Sequence, residues 1–342
     1  MAMAIRCVSM CGDPSLLSSL GRATSQEDDS SLAASAPRLT AHTDASPAIK
    51  SARDPSLLSS LGRIGAAALC LALVGCNHLF YFPDKTLYVD PSEYKIKYNK
   101  TQLPLPDGTS ISLWHFPAER SETGCKSQNK KLVLHFHGNA QNVSTHFGQL
   151  YWLSKQNIDY VIWDYPGYGE SGGDANRKSI HNATMTLLDA LHDGSIGQFQ
   201  NHQLYLYAQS LGGAILLGAL PDLKSKKNIQ RIFIESSFIS YRRIGKNKLA
   251  STWVTWPLQW LAYLAISDNH SGYNKLSGLS LPKTIVLHGT ADTVVPFEEG
   301  QFLFQQLPEP KEFWAIDGGQ HLGLLNANTK TPERLLKEIC EN

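Results

Sequence analysis

The residues best placed to do chemistry are a serine, a histidine and three carboxylates spread over the last two-fifths of a 342-residue chain. Ser210 stands in Ala208-Gln209-Ser210-Leu211-Gly212, after a strand-like run that ends near Ala208 and before a helical stretch that opens at Leu211. A hydroxyl at a sharp strand-to-helix turn is exposed for attack on a carbonyl, and helix-terminal N–H groups lie nearby to stabilise the oxyanion. Small neighbours suit such a turn, with Ala208 where a glycine is more familiar. The same serine would also serve as an ordinary helix N-cap. His321 follows Gly318-Gly319-Gln320 after the last strand-like run, where a general base can reach a serine hydroxyl. Asp292, Glu235 and Asp317 each follow a strand-like run and could orient that imidazole.

Several further motifs fall in a telling order. His135-Phe136-His137-Gly138-Asn139 ends the first buried strand, and Asp164-Tyr165-Pro166-Gly167-Tyr168-Gly169-Glu170-Ser171 follows the next. His288-Gly289-Thr290-Ala291-Asp292-Thr293-Val294-Val295-Pro296 follows a late one. Together with AQSLGGA and GGQH these runs resemble the α/β-hydrolase superfamily, and most closely its mixed group of serine aminopeptidase-like and α/β-hydrolase domain-containing proteins. The resemblance covers roughly residues 87 to 342 and implies an α/β-hydrolase fold, with a mostly parallel sheet between helices and a small lid. It implies Ser210 as nucleophile, His321 as base and Asp292 as acid, in the Ser, Asp, His order of that fold. By the same likeness the backbone N–H groups of Asn139 and Leu211 form the oxyanion hole. Ser171 sits in a structural turn, on the wrong strand for a nucleophile.

The elements that must position these residues alternate between two periods. Strand-like runs begin at Lys131, Asp159, His202, Ile229, Lys283 and Lys311. Asp107-Gly108 between TQLPLP and TSISLWHF predicts an antiparallel hairpin ahead of them. Ile180, Ala183, Leu187, Leu188 and Leu191 line one face of a helix. Further helices are predicted over 143–156, 211–220, 297–306 and 332–341. Residues 238–279 fit no strand-helix repeat and read as a lid. There Trp253, Trp256, Trp260, Leu261 and Leu264 form an apolar stripe that either favours apolar acyl groups or packs the lid onto the core.

Composition narrows the partners. Thirty-one basic residues nearly balance thirty acidic ones, for a net charge of +1, which argues against nucleic acid and for a small neutral or weakly charged substrate; the resemblance implies that it is an acyl compound. There is no dinucleotide fingerprint or P-loop, so no cofactor is expected. His135 and His137 alternate on one strand, but they lack the further ligands a metal site needs, so no metal is expected either. Oligomeric state is not encoded in any pattern we recognise.

The N-terminal part reads differently. Residues 1–53 are rich in Ser, Ala and Asp and are expected to be disordered or to belong to a start placed too far upstream. The string DPSLLSSLGR occurs at Asp13 to Arg22 and again at Asp54 to Arg63. Within residues 54–75, Arg63 precedes the apolar run IGAAALCLALVG, about a dozen residues and too short to span a bilayer. Leu73-Val74-Gly75-Cys76 resembles the bacterial lipobox. That likeness makes Cys76 a lipidated first mature residue and the chain a lipid-anchored protein of the bacterial cell envelope, outer membrane included, with secretion or the periplasm as the alternative. Residues 76–342 would be the enzyme. Cys125 and Cys340 then remain in an oxidising compartment, free to pair if geometry allows.

The functional expectation is a serine hydrolase that cleaves esters or thioesters through an acyl-enzyme. A serine peptidase acting on short peptides and a non-catalytic scaffold of the same fold are the alternatives.

Overall fold

The computed structural model describes residues 80–341 except 123, 252, 254 and 327–329, all in the compact unit Ala72–Asn342. The readings of residues 1–53, of the segment 54–75 and of Cys76 lie outside the described residues.

Eight strands form one sheet: β1 (Asn99–Pro104), β2 (Ser110–Phe116), β3 (Lys131–Phe136), β4 (Asp159–Trp163), β5 (Gln203–Gln209), β6 (Ile229–Glu235), β7 (Thr284–Gly289) and β8 (Lys311–Ile316). Their order is β1-β2-β4-β3-β5-β6-β7-β8. The β1/β2 hairpin is antiparallel, as Asp107-Gly108 predicts, with Gly108 at φ 85° where a side chain would be strained. Also antiparallel is β2 against β4; every later pair is parallel. This is the α/β-hydrolase architecture that the sequence predicts.

The strands are apolar on both faces because both faces are covered. Leu132, Leu134 and Phe136 of β3 join Leu204, Leu206 and Ala208 of β5 in one core cluster. The intervening Val133, Tyr205 and Tyr207 join Phe233, Ile285 and Leu287 in the other. Helix α1 (Val143–His146) is followed by α2 (Arg177–Asp193), which buries Ile180, Ala183, Leu187, Leu188 and Leu191 on the first cluster. A capping box between Asn176 and Ser179 starts α2, and Gly194 in the left-handed region ends it. Replacing one of its buried leucines with alanine would cost about 2–5 kcal/mol. Helices α3 (Leu211–Ala219), α4 (Tyr241–Ala250), α5 (Leu261–Ala265), α6 (Phe297–Gln306) and α7 (Thr331–Cys340) complete the set.

Two expectations need correction. Residues 143–156 do not form one helix: α1 gives way to 3-10 turns at Phe147–Gln149 and Tyr151–Gln156. Gly148 weakens the helix at the break. Spacings of three and four still bury Val143, Phe147, Leu150 and Leu153 on one side, so the apolar stripe is served without a continuous helix. Within residues 238–279, of the two readings of the tryptophan stripe, the one that packs it onto the core is not met. Trp253, Trp256 and Trp260 are exposed, whereas Ala262 and Ile266 form the inner face.

Cys125, ahead of β3, is disulfide-bonded to Cys340 at the end of α7, with Cα atoms 5.1 Å apart. Among the described residues no helix is long and apolar enough to cross a membrane.

Candidate active site

Because the later strands are parallel, their carboxyl ends lie level, and the candidate residues all follow those ends. Phe136 pairs with Ala208, Gln209 with Glu235, and Gly289 with Ile316. Ligands and chemistry in such sheets gather at this edge.

Ser210 occupies the turn between β5 and α3 with φ 51° and ψ −118°, a strained conformation for a residue with a side chain. Three contacts hold it there. Its N–H donates to Glu235 O at 2.8 Å, and Ser237 Oγ donates to Ser210 O at 2.6 Å. The third contact is a close approach that only glycine permits. A Cβ on Gly212 would stand 2.2 Å from Phe136 O, and one on Gly213 would stand 2.3 Å from Ser237 Oγ. Glycine at these two positions lets α3 press its N-terminus against the end of β3 and against the Ser236-Ser237 turn.

His321 Nε2 lies 3.0 Å from Ser210 Oγ, and His321 Nδ1 lies 2.8 Å from Asp292 Oδ2. The three side chains therefore form a continuous relay from widely separated stretches of the chain. The loops bearing Asp292 and His321 are joined backbone to backbone: Ala291 N donates to Gly319 O at 3.0 Å and Thr290 N to Ile316 O at 3.0 Å. A Cβ on Gly289 would stand 2.1 Å from Gly319 O.

Asp292 Oδ1 accepts the N–H groups of Val294 and Val295 at 2.8 and 2.9 Å, so the carboxylate is fixed at both oxygens. Burial pushes its pKa up, but hydrogen bonds from His288 and His321 together with the Val295 N–H reverse this and hold it well below the usual carboxylate range. An ionised Asp292 suits an imidazole that must carry positive charge in passing. His288 Nε2 sits 2.9 Å from Val295 O and 3.4 Å from Asp292 Oδ2, bracing the acid loop from behind.

The rival carboxylates lie elsewhere. Glu235 is buried beneath the serine turn, where Tyr207 OH (2.6 Å) and Gln209 Nε2 (3.1 Å) donate to its Oε2. Burial raises its pKa to about 7. Asp317 is engaged by Thr290 Oγ1 at 3.3 Å. Ser171 is buried in the turn after β4, donating to Asp164 O at 2.7 Å and accepting from Ser112 N at 2.9 Å.

Gly138 brings the loop after β3 close to the serine, since a Cβ there would lie 3.7 Å from Ser210 Cβ. Neither the N–H of Asn139 nor that of Leu211, at the start of α3, is taken by a backbone carbonyl among the described residues. His135 and His137 are buried and their pKa values fall well below the usual histidine range, burial being the main cause. His135 Nδ1 meets Tyr160 OH at 2.8 Å, and the His137 ring stacks on Tyr165 at 4.2 Å. Among the described residues no group of three or more His, Cys, Asp or Glu is placed to hold a metal.

Sequence reasoning missed what fixes the loop after β3. The Asn139 carboxamide Oδ1 accepts from Phe82 N (3.0 Å) and Tyr168 OH (2.9 Å), and its Nδ2 donates to Phe80 O (2.9 Å). Asn142 Nδ2 donates to Asp84 O (2.9 Å) and Thr86 O (2.7 Å). Residues 80–86 thus strap the loop in place. Only the bare presence of HGNAQN in the sequence pointed there.

The sheet and its flanking helices are those of an α/β-hydrolase fold, and the comparisons with known proteins support a hydrolase. Residues 127–280 match the family model described as serine aminopeptidase, S33, a range that holds Ser210 but stops short of Asp292 and His321. The protein YfhR of Escherichia coli K12 is 27% identical over 257 residues, covering 75% of this chain and 84% of YfhR. The alpha/beta hydrolase domain-containing protein aho-3 of Caenorhabditis elegans is 26% identical over 190 residues, covering 55% of this chain and 52% of that protein. Among solved structures, the Pyrococcus furiosus esterase Pf2001 superposes with a TM-score of 0.54 at 16% identity, covering 77% of this chain and 98% of the esterase.

Proposed function

We propose that the chain is a serine hydrolase that cleaves carboxylic esters or thioesters of small acyl substrates. The observation that carries this reading is the unbroken relay of 2.8 and 3.0 Å from Asp292 through His321 to Ser210 Oγ. In this mechanism Ser210 Oγ attacks the carbonyl carbon while His321 Nε2 takes its proton, and Nδ1–H stays bonded to Asp292. The backbone N–H groups of Asn139 and Leu211 receive the oxyanion. As the tetrahedral adduct collapses, the C–O or C–S bond breaks and His321 returns the proton to the leaving alcohol or thiol. Water, deprotonated by the same imidazole, then releases the acid and restores Ser210. No step calls for a cofactor.

The name of the matched family favours a peptidase as second reading. An ester leaving group departs with less help than an amine, which favours the ester reading. A silent scaffold is disfavoured by a serine held in a strained turn against a histidine. The full chain should react with a fluorophosphonate probe, and Ser210→Ala should abolish labelling and lower turnover by at least about 10³-fold. Undiminished labelling of that variant would overturn the assignment. A series of p-nitrophenyl esters of rising acyl length, run beside aminoacyl-nitroanilides, separates esterase from peptidase.

We further propose that the protein is lipidated at Cys76 and held in the bacterial cell envelope. The lipobox-like Leu73-Val74-Gly75-Cys76 and the Cys125–Cys340 disulfide, a bond at home in oxidising compartments, support this. Radiolabelled palmitate should enter the chain in a bacterial host and be lost in Cys76→Ala. Failure of the wild type to incorporate label would end the proposal.

A further inference from the structure

The lid carries a surface that the proposed chemistry leaves unused. Trp253, Trp256 and Trp260 are 87%, 59% and 54% exposed, and Leu258, Tyr263 and Leu264 are exposed beside them. Of the remaining tryptophans, Trp114, Trp163 and Trp314 are buried and Trp152 is half-buried. The outward stance is not a packing failure. Ala262 of α5 and Ile266 just after it are buried with Tyr241 and Ile244 of α4, so the lid's inner face is already filled. A cluster of large apolar rings left in water marks an interaction surface.

Its electrostatics indicate what lies against it. From Tyr241 to Ala265 the sequence holds Arg242, Arg243, Lys246 and Lys248 and neither Asp nor Glu. Arg243 is committed to Glu299 at 2.7 Å and Arg242 Nε donates to Ile266 O at 2.6 Å. Lys246 instead lies 5.9 Å over the exposed Tyr263 ring, and Lys248 is exposed, neither one in an ion pair among the described residues. Amphipathic Trp and Tyr rings next to lysines without acidic partners are the chemistry that enters a lipid headgroup layer and meets its phosphates.

The chain's own path agrees. Phe80, the first described residue, packs edge-on against Tyr241 of α4 at 5.1 Å between ring centres. The first described residue therefore lies against the lid helix α4. Cys76 is so few positions earlier that an extended chain keeps it within about 14 Å of Phe80.

We propose that the outer face of the lid, Trp253 to Leu264 with Lys246 and Lys248, seats directly on an anionic phospholipid bilayer. The contact is separate from the acyl chemistry at Ser210 and from any lipid on Cys76, and it adds to a tether as a second membrane signal.

The full chain, wild type and Cys76→Ala, is mixed with vesicles of equimolar phosphatidylglycerol and phosphatidylcholine whose acyl chains are brominated. Bromine quenches only rings that enter the bilayer, so the three lid tryptophans are the reporters. Both proteins should lose roughly a third or more of their tryptophan emission and sediment with the vesicles, less so at high salt. Lys246→Glu/Lys248→Glu should weaken sedimentation of the Cys76→Ala protein by about tenfold or more at an unchanged thermal unfolding midpoint. Sedimentation with no quenching would mean that the segment before residue 80 alone holds the protein, and would overturn the proposal. So would absence of sedimentation in Cys76→Ala, or a self-association that Trp253→Ser/Trp256→Ser/Trp260→Ser abolishes, since the face would then be an interface between copies. None of these readouts depends on hydrolysis, so failure here and failure of the enzymatic reading are distinguishable.

Discussion

Two carboxylates at the ends of neighbouring strands meet opposite fates. Asp292 is tied to two histidines and two backbone N–H groups, and stays ionised. Glu235 is buried, and that burial outweighs its hydrogen bonds from Tyr207 and Gln209, so its pKa rises from an ordinary 4.5 to about 7. A raised carboxyl pKa in the folded state means that the folded protein binds a proton more tightly than the unfolded chain does. Glu235 therefore detracts from stability progressively as pH climbs from about 4.5 to about 7, and the loss is constant above that. Glu235→Gln removes the dependence. Urea denaturation at pH 5 and pH 8 should show the variant gaining on the wild type at the higher pH, by up to about 3 kcal/mol. A difference between the two proteins that does not change with pH would show that Glu235 titrates normally. The sequence alone presented Glu235 and Asp292 as rivals; the Pro after the Asp292 loop and the family pattern favoured Asp292, while the hydrogen bonds that fix the other acid in place are invisible without coordinates.

At the scale of elements, the relay depends on two loops pressed together through glycines. Gly289→Ala would place a methyl group 2.1 Å from Gly319 O, forcing the Asp292 and His321 loops apart. The expected outcome is a drop in kcat/KM of about 10²-fold with about 1–3 kcal/mol of destabilisation. Gly278→Ala, where a Cβ has nothing within 4 Å, should stay within about 0.5 kcal/mol of wild type and serves as control. Wild-type activity in Gly289→Ala would mean that the loops relax without cost. These elements were legible because their signals are local. Alternating apolar runs gave the strands, Asp107-Gly108 gave the hairpin, and small residues around Ser210 and before His321 flagged sites of close backbone approach. The break in 143–156 was not legible, since a stripe spaced by three and four residues is compatible with α and 3-10 turns alike. Nor was the strap of residues 80–86, which depends on a carboxamide far along the chain; its short irregular sequence carries no period of its own.

For the whole molecule, the lid shows where pattern reading stops. Trp256, Trp260 and Leu264 recur at helical spacing, but spacing cannot tell whether a stripe faces the core, a substrate or a third phase outside the protein. Exposure settles that they face outward. The Cys125–Cys340 bond acts on the same global scale, because it closes a loop over a sequence separation of 215 residues. Cross-linking so long a loop restricts the unfolded chain, so Cys125→Ser/Cys340→Ser should lower stability by about 2–5 kcal/mol in denaturant titrations under non-reducing conditions. An unchanged midpoint would show that the bond leaves the folding equilibrium untouched.

That ring has one more consequence. Ser210, Asp292, His321 and the entire lid lie between its two cysteines. A protease that clips the exposed stretch around Lys248 and Trp253 would sever the backbone without parting the halves. The nicked protein would migrate as a single species on a gel until a thiol reductant released two bands, with Ser210 and His321 on different fragments.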